Sequence, residues 1–99
     1  MQNKRVTAPR RRMHLECVFS GLVQGVGFRV YVCTLARRLN VAGFVQNHSN
    51  STVSVVAEGS KSVLQELVRE LHQRFMISKS TLQWKQALQG FNSFEVRME

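Results

Sequence analysis

A nine-residue stretch, GLVQGVGFR from Gly21 to Arg29, combines three glycines with one arginine and contains no acidic residue. It lies between a segment of alternating apolar residues and a segment with helical periodicity, a pattern that predicts a strand–loop–helix unit. The backbone N–H groups of such a loop and of the first helical turn can converge on one point and bind an anion. We therefore expect an anion-binding loop at this position.

A bound anion would explain why an arginine stands at position 29. A cation in the first turn of a helix opposes the helix dipole, at a cost of ~0.3–1 kcal/mol when it is exposed. A phosphate bound by the loop would reverse the sign of that penalty and accept paired hydrogen bonds from the guanidinium. The alternative is a glycine-rich turn followed by a solvated arginine.

The surrounding pattern predicts an α+β fold with elements in the order β-α-β-β-α-β. The first helix has apolar residues at helical spacing from Phe28 and ends near Asn40, and the second opens at Ser62 in a capping box, Ser62 to Gln65. The economical packing is a ferredoxin-like sandwich, one antiparallel sheet with both helices on one face. The candidate strands, with one possible short extra strand among the last two, are MHLECVFSG, AGFVQN, TVSVVAEG, STLQWKQAL and SFEVRM.

The charge distribution predicts a tail and one domain. The net charge is +8, but five cations and no acid fall within residues 1–13, which leaves +3 for the remainder. We interpret residues 1–13 as a disordered basic tail and residues 14–99 as a single domain. No apolar run reaches the ~20 residues that span a bilayer, so we expect a cytosolic protein.

The cysteines and histidines form no metal-binding pattern. The spacing of Cys17 and Cys33 fits no zinc motif, and each is expected to fill the core in a reducing compartment. His14 and His72 are expected at the surface. His48 is interpreted as a water-facing histidine at a strand end, with a role as a catalytic base as the alternative.

The stretch GLVQGVGFR also resembles the signature of the acylphosphatases, Gly-x-Val-Gln-Gly-Val-x-Phe-Arg. The segment GFVQNHSNSTVSVVAEG is similar to the family's second signature: Gly, an aromatic residue, a variable pair, Asn, a turn, and a Val-containing strand that ends in Gly. The two motifs run from Gly21 to Gly59 with the family's spacing. The resemblance covers nearly all of the chain from residue 14 onward and weakens after Phe75.

The resemblance implies a hydrolase that cleaves acyl phosphates, which are carboxyl–phosphate mixed anhydrides, into carboxylate and inorganic phosphate without a metal or other cofactor. The family's phosphate-binding arginine corresponds to Arg29 and its water-positioning asparagine to Asn47. The implied partner is a small-molecule acyl phosphate, and we expect a cytoplasmic monomer that binds neither membrane nor nucleic acid. The amides that hold the phosphoryl group correspond to Gln24, Gly25, Val26, Gly27 and Phe28.

Two other functions stay open at this point. One is an accessory phosphate- or carbamoyl-phosphate-binding domain without catalysis, similar to the acylphosphatase-like module of larger carbamoyl-transfer proteins. The other is a nucleic-acid-binding ferredoxin-like module, which would use the basic tail, although the strand TVSVVA lacks the aromatic residues on which bases stack.

The sequence departs from the family at the turn that follows Asn47. The family usually has a residue followed by Gly there, whereas this chain has Asn50 and Ser51. A serine in a left-handed conformation costs ~1 kcal/mol. We therefore expect a looser hairpin and a slower enzyme with the same mechanism.

Overall fold

A five-stranded sheet with both helices packed against one face forms the domain, in a computed structural model that describes residues 11–98. The predicted α+β ferredoxin-like fold and its element order are confirmed, with one additional strand. The elements are β1 (Arg12–Gly21), α1 (Phe28–Arg38), β2 (Ala42–Asn47), β3 (Val53–Ser60), α2 (Lys61–Arg74), β4 (Ile77–Lys85) and β5 (Phe94–Arg97).

The strand order is β4-β1-β3-β2-β5, and three of the four pairings are antiparallel. The prediction of a purely antiparallel sheet is wrong at one edge, because β5 runs parallel to β2. The reason is the connection of residues 86–93, which leaves β4 at one edge of the sheet and delivers β5 to the opposite edge. The sheet is therefore mixed.

The hydrophobic core lies between the sheet and the helices. The predicted alternation in β1 is confirmed, because Leu15, Cys17 and Phe19 are all buried. Cys17 and Cys33 are both buried and unpaired, and burial raises the pKa of the Cys17 thiol to about 12. The helices complete the core with Phe28, Val32, Leu35, Leu64, Leu67 and Leu71.

The sequence predicted the end of α1 correctly and the start of α2 incorrectly. Asn40, just after α1, has a φ of 58°, the left-handed conformation expected of a helix terminator. The predicted start of α2 at Ser62 is wrong, because the helix begins at Lys61 with Ser60 as its N-cap. β3 runs up to Ser60 and passes directly into the helix, so the chain turns before it reaches Ser62.

The prediction of a surface position for His14 is also wrong. His14 is 1% exposed, and its Nδ1 lies 2.6 Å from Oε2 of Glu58, which is fully buried. Glu58 also accepts hydrogen bonds from the backbone N–H groups of Gln89 (2.6 Å) and Gly90 (3.0 Å). The connection 86–93 thus crosses the helix-free face of the sheet and covers both side chains.

Residues 1–10 of the predicted tail lie outside the described residues. Arg12 and Met13, which the sequence assigns to that tail, belong to β1 and pair with Ser60 and Gly59. Within residues 11–98, no helix is long and apolar enough to cross a membrane.

Candidate active site

The loop between β1 and α1 has the backbone that an anion-binding loop requires. Gly25 and Gly27 have φ values of 74° and 79°, in the left-handed region that other residues rarely adopt. A Cβ atom at either position would meet nothing within 4 Å, so open space lies beside the backbone there. These glycines therefore allow the conformation of the loop and leave the space beside its backbone open.

The amides of this loop are available as donors. Both ends of the loop are closed by backbone hydrogen bonds, from Leu22 to Met76 (2.9 Å) and from Tyr31 to Gly27 (3.0 Å). Between them, no backbone carbonyl within residues 11–98 accepts a hydrogen bond from the N–H groups of residues 24–28. The N-cap Gly27 offers no side-chain acceptor, and the first turn of α1 contains no acid. An anion would satisfy several of these donors at once.

Buried side chains fix the loop at both ends. Val23 and Phe28 are each 1% exposed. The Phe28 ring makes edge-to-face contacts with Phe19, at 5.7 Å between centroids, and with Phe75, at 4.8 Å. The beginning of α1 is therefore attached to the core, and the exposed residues Gly25, Val26 and Gly27 are held between two anchors.

Arg29 lies in the first turn of α1, as predicted, and is half-buried. Its Nη1 atom lies 3.9 Å from the sulfur of Met98, and no carboxylate within residues 11–98 forms an ion pair with it. The carbonyl of Met98 accepts a hydrogen bond from Nε2 of Gln46 at 3.3 Å. Met98 therefore contacts both the Arg29 guanidinium and Gln46, the residue that precedes Asn47 in β2.

Asn47 is the last residue of β2, and its side chain has one unusual atom. Oδ1 is buried and has no hydrogen-bond partner within the described residues. A buried acceptor left without a hydrogen bond costs ~1–3 kcal/mol, so this oxygen would gain from a hydrogen bond donated by a water or a ligand. The acceptor of Asn47 is therefore suited to orient a water molecule.

The side chain of Gln24 joins the loop to the β2–β3 hairpin, a role that the sequence did not reveal. Its Nε2 donates hydrogen bonds to the carbonyl of His48 at 2.9 Å and to that of Thr52 at 3.0 Å. Gln24 thus fixes the distance between the loop and the turn that follows Asn47. The only feature of the sequence that could have indicated this role is the uncharged amide side chain of Gln24 among the glycines of the loop.

The turn after Asn47 contains the strain that the sequence predicted. Ser51 has a φ of 70°, and the N–H of His48 donates to the carbonyl of Thr52 at 2.9 Å. The ring of His48 lies with its Nε2 2.6 Å from Oγ of Ser54, which is the register partner of Gln46. Because side chains alternate along a strand, His48 lies on the face of the sheet opposite Asn47.

Comparison with known proteins places this geometry in a family. The acylphosphatase family model matches residues 15–96, which include both the loop and Asn47. The chain belongs to the acylphosphatase family. An acylphosphatase from Salinibacter ruber is 37% identical over 81 residues, which cover 79% of this chain and 85% of the relative. One from Bifidobacterium longum is 48% identical over 60 residues, 61% of this chain and 60% of the relative.

Solved structures agree with this assignment to the acylphosphatases. The crystal structure of acylphosphatase from Bacillus subtilis superimposes with a TM-score of 0.83 at 28% identity, and the match covers 86% of this chain and 98% of that one. Full-length HypF in the phosphate- and nucleotide-bound form matches with a TM-score of 0.81 at 24% identity, over 94% of this chain and 12% of HypF. At 24% identity, the similarity to HypF shows only that the two folds are alike.

Proposed function

We propose that the protein is a hydrolase that cleaves acyl phosphates into a carboxylate and inorganic phosphate. A water oxygen forms a bond to phosphorus while the bond between phosphorus and the bridging acyl oxygen breaks. The electron pair of that bond stays on the departing carboxylate. The two protons of the water end on the phosphate, so a dianionic acyl phosphate and one water give a carboxylate monoanion and dihydrogen phosphate.

The observation that carries this proposal is the set of loop amides beside Arg29, in a chain of the acylphosphatase family. Among residues 11–98, these amides have no backbone acceptor and Arg29 has no carboxylate partner. The N–H groups of residues 24–28 and the guanidinium of Arg29 would hold the three terminal phosphoryl oxygens. Phosphoryl transfer through a loose transition state requires mainly positioning and stabilisation of charge on these oxygens. Fixed amides and a planar guanidinium provide both.

Asn47 is proposed to position the attacking water. Its Oδ1 can accept one hydrogen bond from that water and orient an oxygen lone pair towards phosphorus. An amide does not remove a proton, so Asn47 acts through geometry. The hydrogen bonds from Gln24 to the adjacent hairpin maintain the distance between this water and the phosphate.

The leaving group explains why the loop needs no general acid. A carboxylic acid has a pKa of only ~4, so the departing carboxylate is stable without protonation. The stretch from Gly21 to Arg29 contains no acidic residue, histidine or lysine. The chemistry of the substrate therefore matches the residues available, and we propose that no metal or other cofactor takes part.

We further propose that the protein acts on its small-molecule substrate as a cytosolic monomer. Two buried, unpaired cysteines are typical of a reducing compartment. Light scattering coupled to size-exclusion chromatography of the full chain tests the monomer. A dimer at micromolar concentration would contradict this part of the proposal without affecting the reaction.

Phosphate release from acetyl phosphate and benzoyl phosphate tests the proposed activity, with phenyl phosphate as the monoester control. We expect hydrolysis of the acyl phosphates at a rate that neither EDTA nor added magnesium changes, and no hydrolysis of the monoester. Binding of inorganic phosphate without turnover of either acyl phosphate would contradict the enzyme and support a phosphate-binding domain instead.

A further inference from the structure

Met98, the residue that follows β5, presents a thioether to solvent beside the candidate phosphate-binding arginine. Met98 is 78% exposed, and its sulfur lies 3.9 Å from Nη1 of Arg29. Its carbonyl accepts a hydrogen bond from Nε2 of Gln46 at 3.3 Å, so the backbone that carries this sulfur is held against β2. An oxidant in solvent can therefore reach a sulfur atom that already contacts Arg29.

A thioether and its oxidised form differ in how strongly they bind a guanidinium. The sulfur of methionine is a weak hydrogen-bond acceptor, so the contact at 3.9 Å leaves Arg29 available to a stronger acceptor. A sulfoxide is polar, and its oxygen carries partial negative charge. Because that oxygen is attached directly to the sulfur, rotation about the terminal bonds of the side chain would bring it within hydrogen-bond distance of the guanidinium.

We propose that Met98 is a site of reversible oxidation by a peroxide, and that the sulfoxide competes with the phosphoryl group for Arg29. The proposal rests on the proposed function, in which Arg29 holds the phosphoryl oxygens. The sulfur attacks one oxygen of hydrogen peroxide, an S–O bond forms, and the O–O bond breaks. The sulfur loses two electrons, and the second oxygen takes both protons and departs as water. A methionine sulfoxide reductase with a dithiol reductant reverses the oxidation: the dithiol becomes a disulfide and the sulfoxide oxygen is released as water.

The competition predicts which kinetic constant changes. No carboxylate within residues 11–98 pairs with Arg29, so no charged acceptor in that range competes for the guanidinium of the reduced protein. A neutral sulfoxide is a weaker partner than an anionic phosphoryl group, which displaces it at saturating concentration. Oxidation should therefore raise the KM for acetyl phosphate and the Kd for inorganic phosphate, with little change in kcat.

Met76 provides a comparison within the same protein. It is about as exposed as Met98, at 74%, and lies at the opposite end of the loop from Arg29, where its carbonyl accepts a hydrogen bond from the N–H of Leu22 at 2.9 Å. Cys17 is buried, and burial raises the pKa of its thiol to about 12, which keeps the reactive thiolate scarce. An effect that depends on Met98 can thus be separated from oxidation elsewhere.

The test treats the full chain, Met98→Leu and Met76→Leu with hydrogen peroxide, and mass spectrometry of peptides measures oxidation at each methionine. Calorimetry gives the Kd for phosphate and an activity assay gives kcat and KM for acetyl phosphate, each relative to the same protein before treatment. In the full chain and in Met76→Leu, we expect Kd and KM to rise about fivefold, with kcat within twofold. Both constants should recover after reduction by the two methionine sulfoxide reductases, one for each sulfoxide epimer. Oxidised Met98→Leu should keep its phosphate affinity.

Met98→Gln tests the same contact without an oxidant. The amide of glutamine places a neutral carbonyl acceptor at the end of a side chain of similar length, whereas leucine has no acceptor. Untreated Met98→Gln should therefore bind phosphate about threefold more weakly than untreated Met98→Leu. Equal affinities of these two variants would contradict a competing acceptor at position 98.

Other outcomes would also overturn the proposal. These are an equal loss of phosphate affinity in oxidised Met98→Leu and oxidised wild type, an unchanged affinity once Met98 is oxidised, and resistance of Met98 to peroxide that oxidises Met76. Absence of acyl phosphate hydrolysis in the untreated protein would overturn the proposed function, while the phosphate affinities would still decide the role of Met98. Failure of the untreated protein to bind phosphate would overturn both.

Discussion

Gln24 and His48 are joined by a 2.9 Å hydrogen bond from the side-chain amide of the first to the backbone carbonyl of the second. The bond connects two segments that arrive from different parts of the chain, the loop after β1 and the turn after β2. One segment carries the candidate phosphate-binding amides, and the other follows the candidate water-positioning Asn47. Catalysis should therefore depend on a residue whose side chain touches neither phosphate nor water.

Replacing Gln24 with alanine tests this dependence. The loss of two hydrogen bonds to the hairpin, at 2.9 and 3.0 Å, lets the loop and Asn47 move relative to each other. We expect kcat to fall by ~10-fold, corresponding to about 1.4 kcal/mol, with a smaller effect on the KM for acetyl phosphate. Gln83→Ala, at an exposed position of β4, should leave both constants unchanged. A loss confined to KM would show that Gln24 serves binding alone.

Arg29→Ala should remove activity without reducing stability. The guanidinium stabilises charge on the phosphoryl group, so kcat/KM is expected to fall by about 10²–10³-fold. Thermal stability should stay constant or rise, because the substitution removes a cation from the helix N-terminus.

Arg29→Lys should be nearly as inactive as Arg29→Ala, since a lysine lacks the planar guanidinium that forms paired hydrogen bonds. Arg38→Ala, in the last turn of α1, is the control and should retain activity. Activity of Arg29→Ala within twofold of wild type would rule out the assigned role.

Asn47→Ala should separate turnover from phosphate binding. We expect kcat to fall by about 10²-fold through loss of the oriented water, while the inhibition constant of inorganic phosphate changes less than threefold. Stability should not decrease, because the buried Oδ1 has no protein partner to lose among the described residues. Competitive inhibition by phosphate provides the measurement, and a parallel loss of phosphate affinity would contradict the division of roles.

Ser51→Gly should stabilise the hairpin. Ser51 has a φ of 70°, a conformation that costs a serine more than a glycine, so the gain is expected to be ~0.5–1 kcal/mol. Ser49→Gly is the matched control: Ser49 lies in the same turn without a positive φ, so glycine there should not stabilise. Urea unfolding of both variants measures the difference, and equal effects would show that backbone strain at Ser51 is not the cause.

Glu58 should make the protein sensitive to acid. Burial alone would raise the pKa of Glu58, but hydrogen bonds from Gln89, His14 and Gly90 outweigh burial and lower it. The hydrogen bond with His14 likewise lowers the pKa of Glu16. Because these pKa values lie below that of an unfolded glutamate, ~4.3, the stabilisation is complete above that value and is lost as the pH falls through the folded pKa.

Glu58→Gln tests this acid sensitivity. At neutral pH we expect a loss of roughly 2–4 kcal/mol, since a charged acceptor inside the protein is removed from several donors. The decline of stability below about pH 4.5 should also be shallower than in wild type. Urea unfolding at several pH values measures both effects, with Glu95→Gln on the exposed side of β5 as the control. An identical acid decline in wild type and Glu58→Gln would exclude Glu58 as its source.

The sequence predicted correctly those helices, strands and turns that depend on the pattern of apolar and polar residues within a short stretch. β1 alternates from Leu15 to Phe19, α1 has a clear apolar stripe and is followed by Asn40 in the left-handed conformation, and the β2–β3 hairpin has a turn of polar residues. These elements carry all the candidate site residues. The residue pattern predicted the anion-binding loop and Arg29, and the resemblance to the acylphosphatases added Asn47. Their roles stay predictions until the variants are measured.

The errors arose where distant residues decide the structure. His14 is buried because Glu58, 44 residues away, and the connection 86–93 cover it, and no local pattern indicates that contact. β4 was placed at residues 80–88 but runs from Ile77 to Lys85, because an exposed edge strand has little apolar alternation. The parallel pairing of β5 with β2 and the contact between Arg29 and Met98 likewise depend on where the chain crosses the sheet.

The position of β1 in the sheet has a consequence for folding kinetics. Cys17 pairs with Val55 on one side and with Leu82 on the other, so both neighbours of this strand come from far along the sequence. Closing such long loops costs entropy before the pairing is formed, which slows folding relative to proteins with local contacts. We expect the loop at the end of β1 to reach its binding geometry only after these pairings have formed, and recovery of phosphate affinity after dilution from denaturant would time that step.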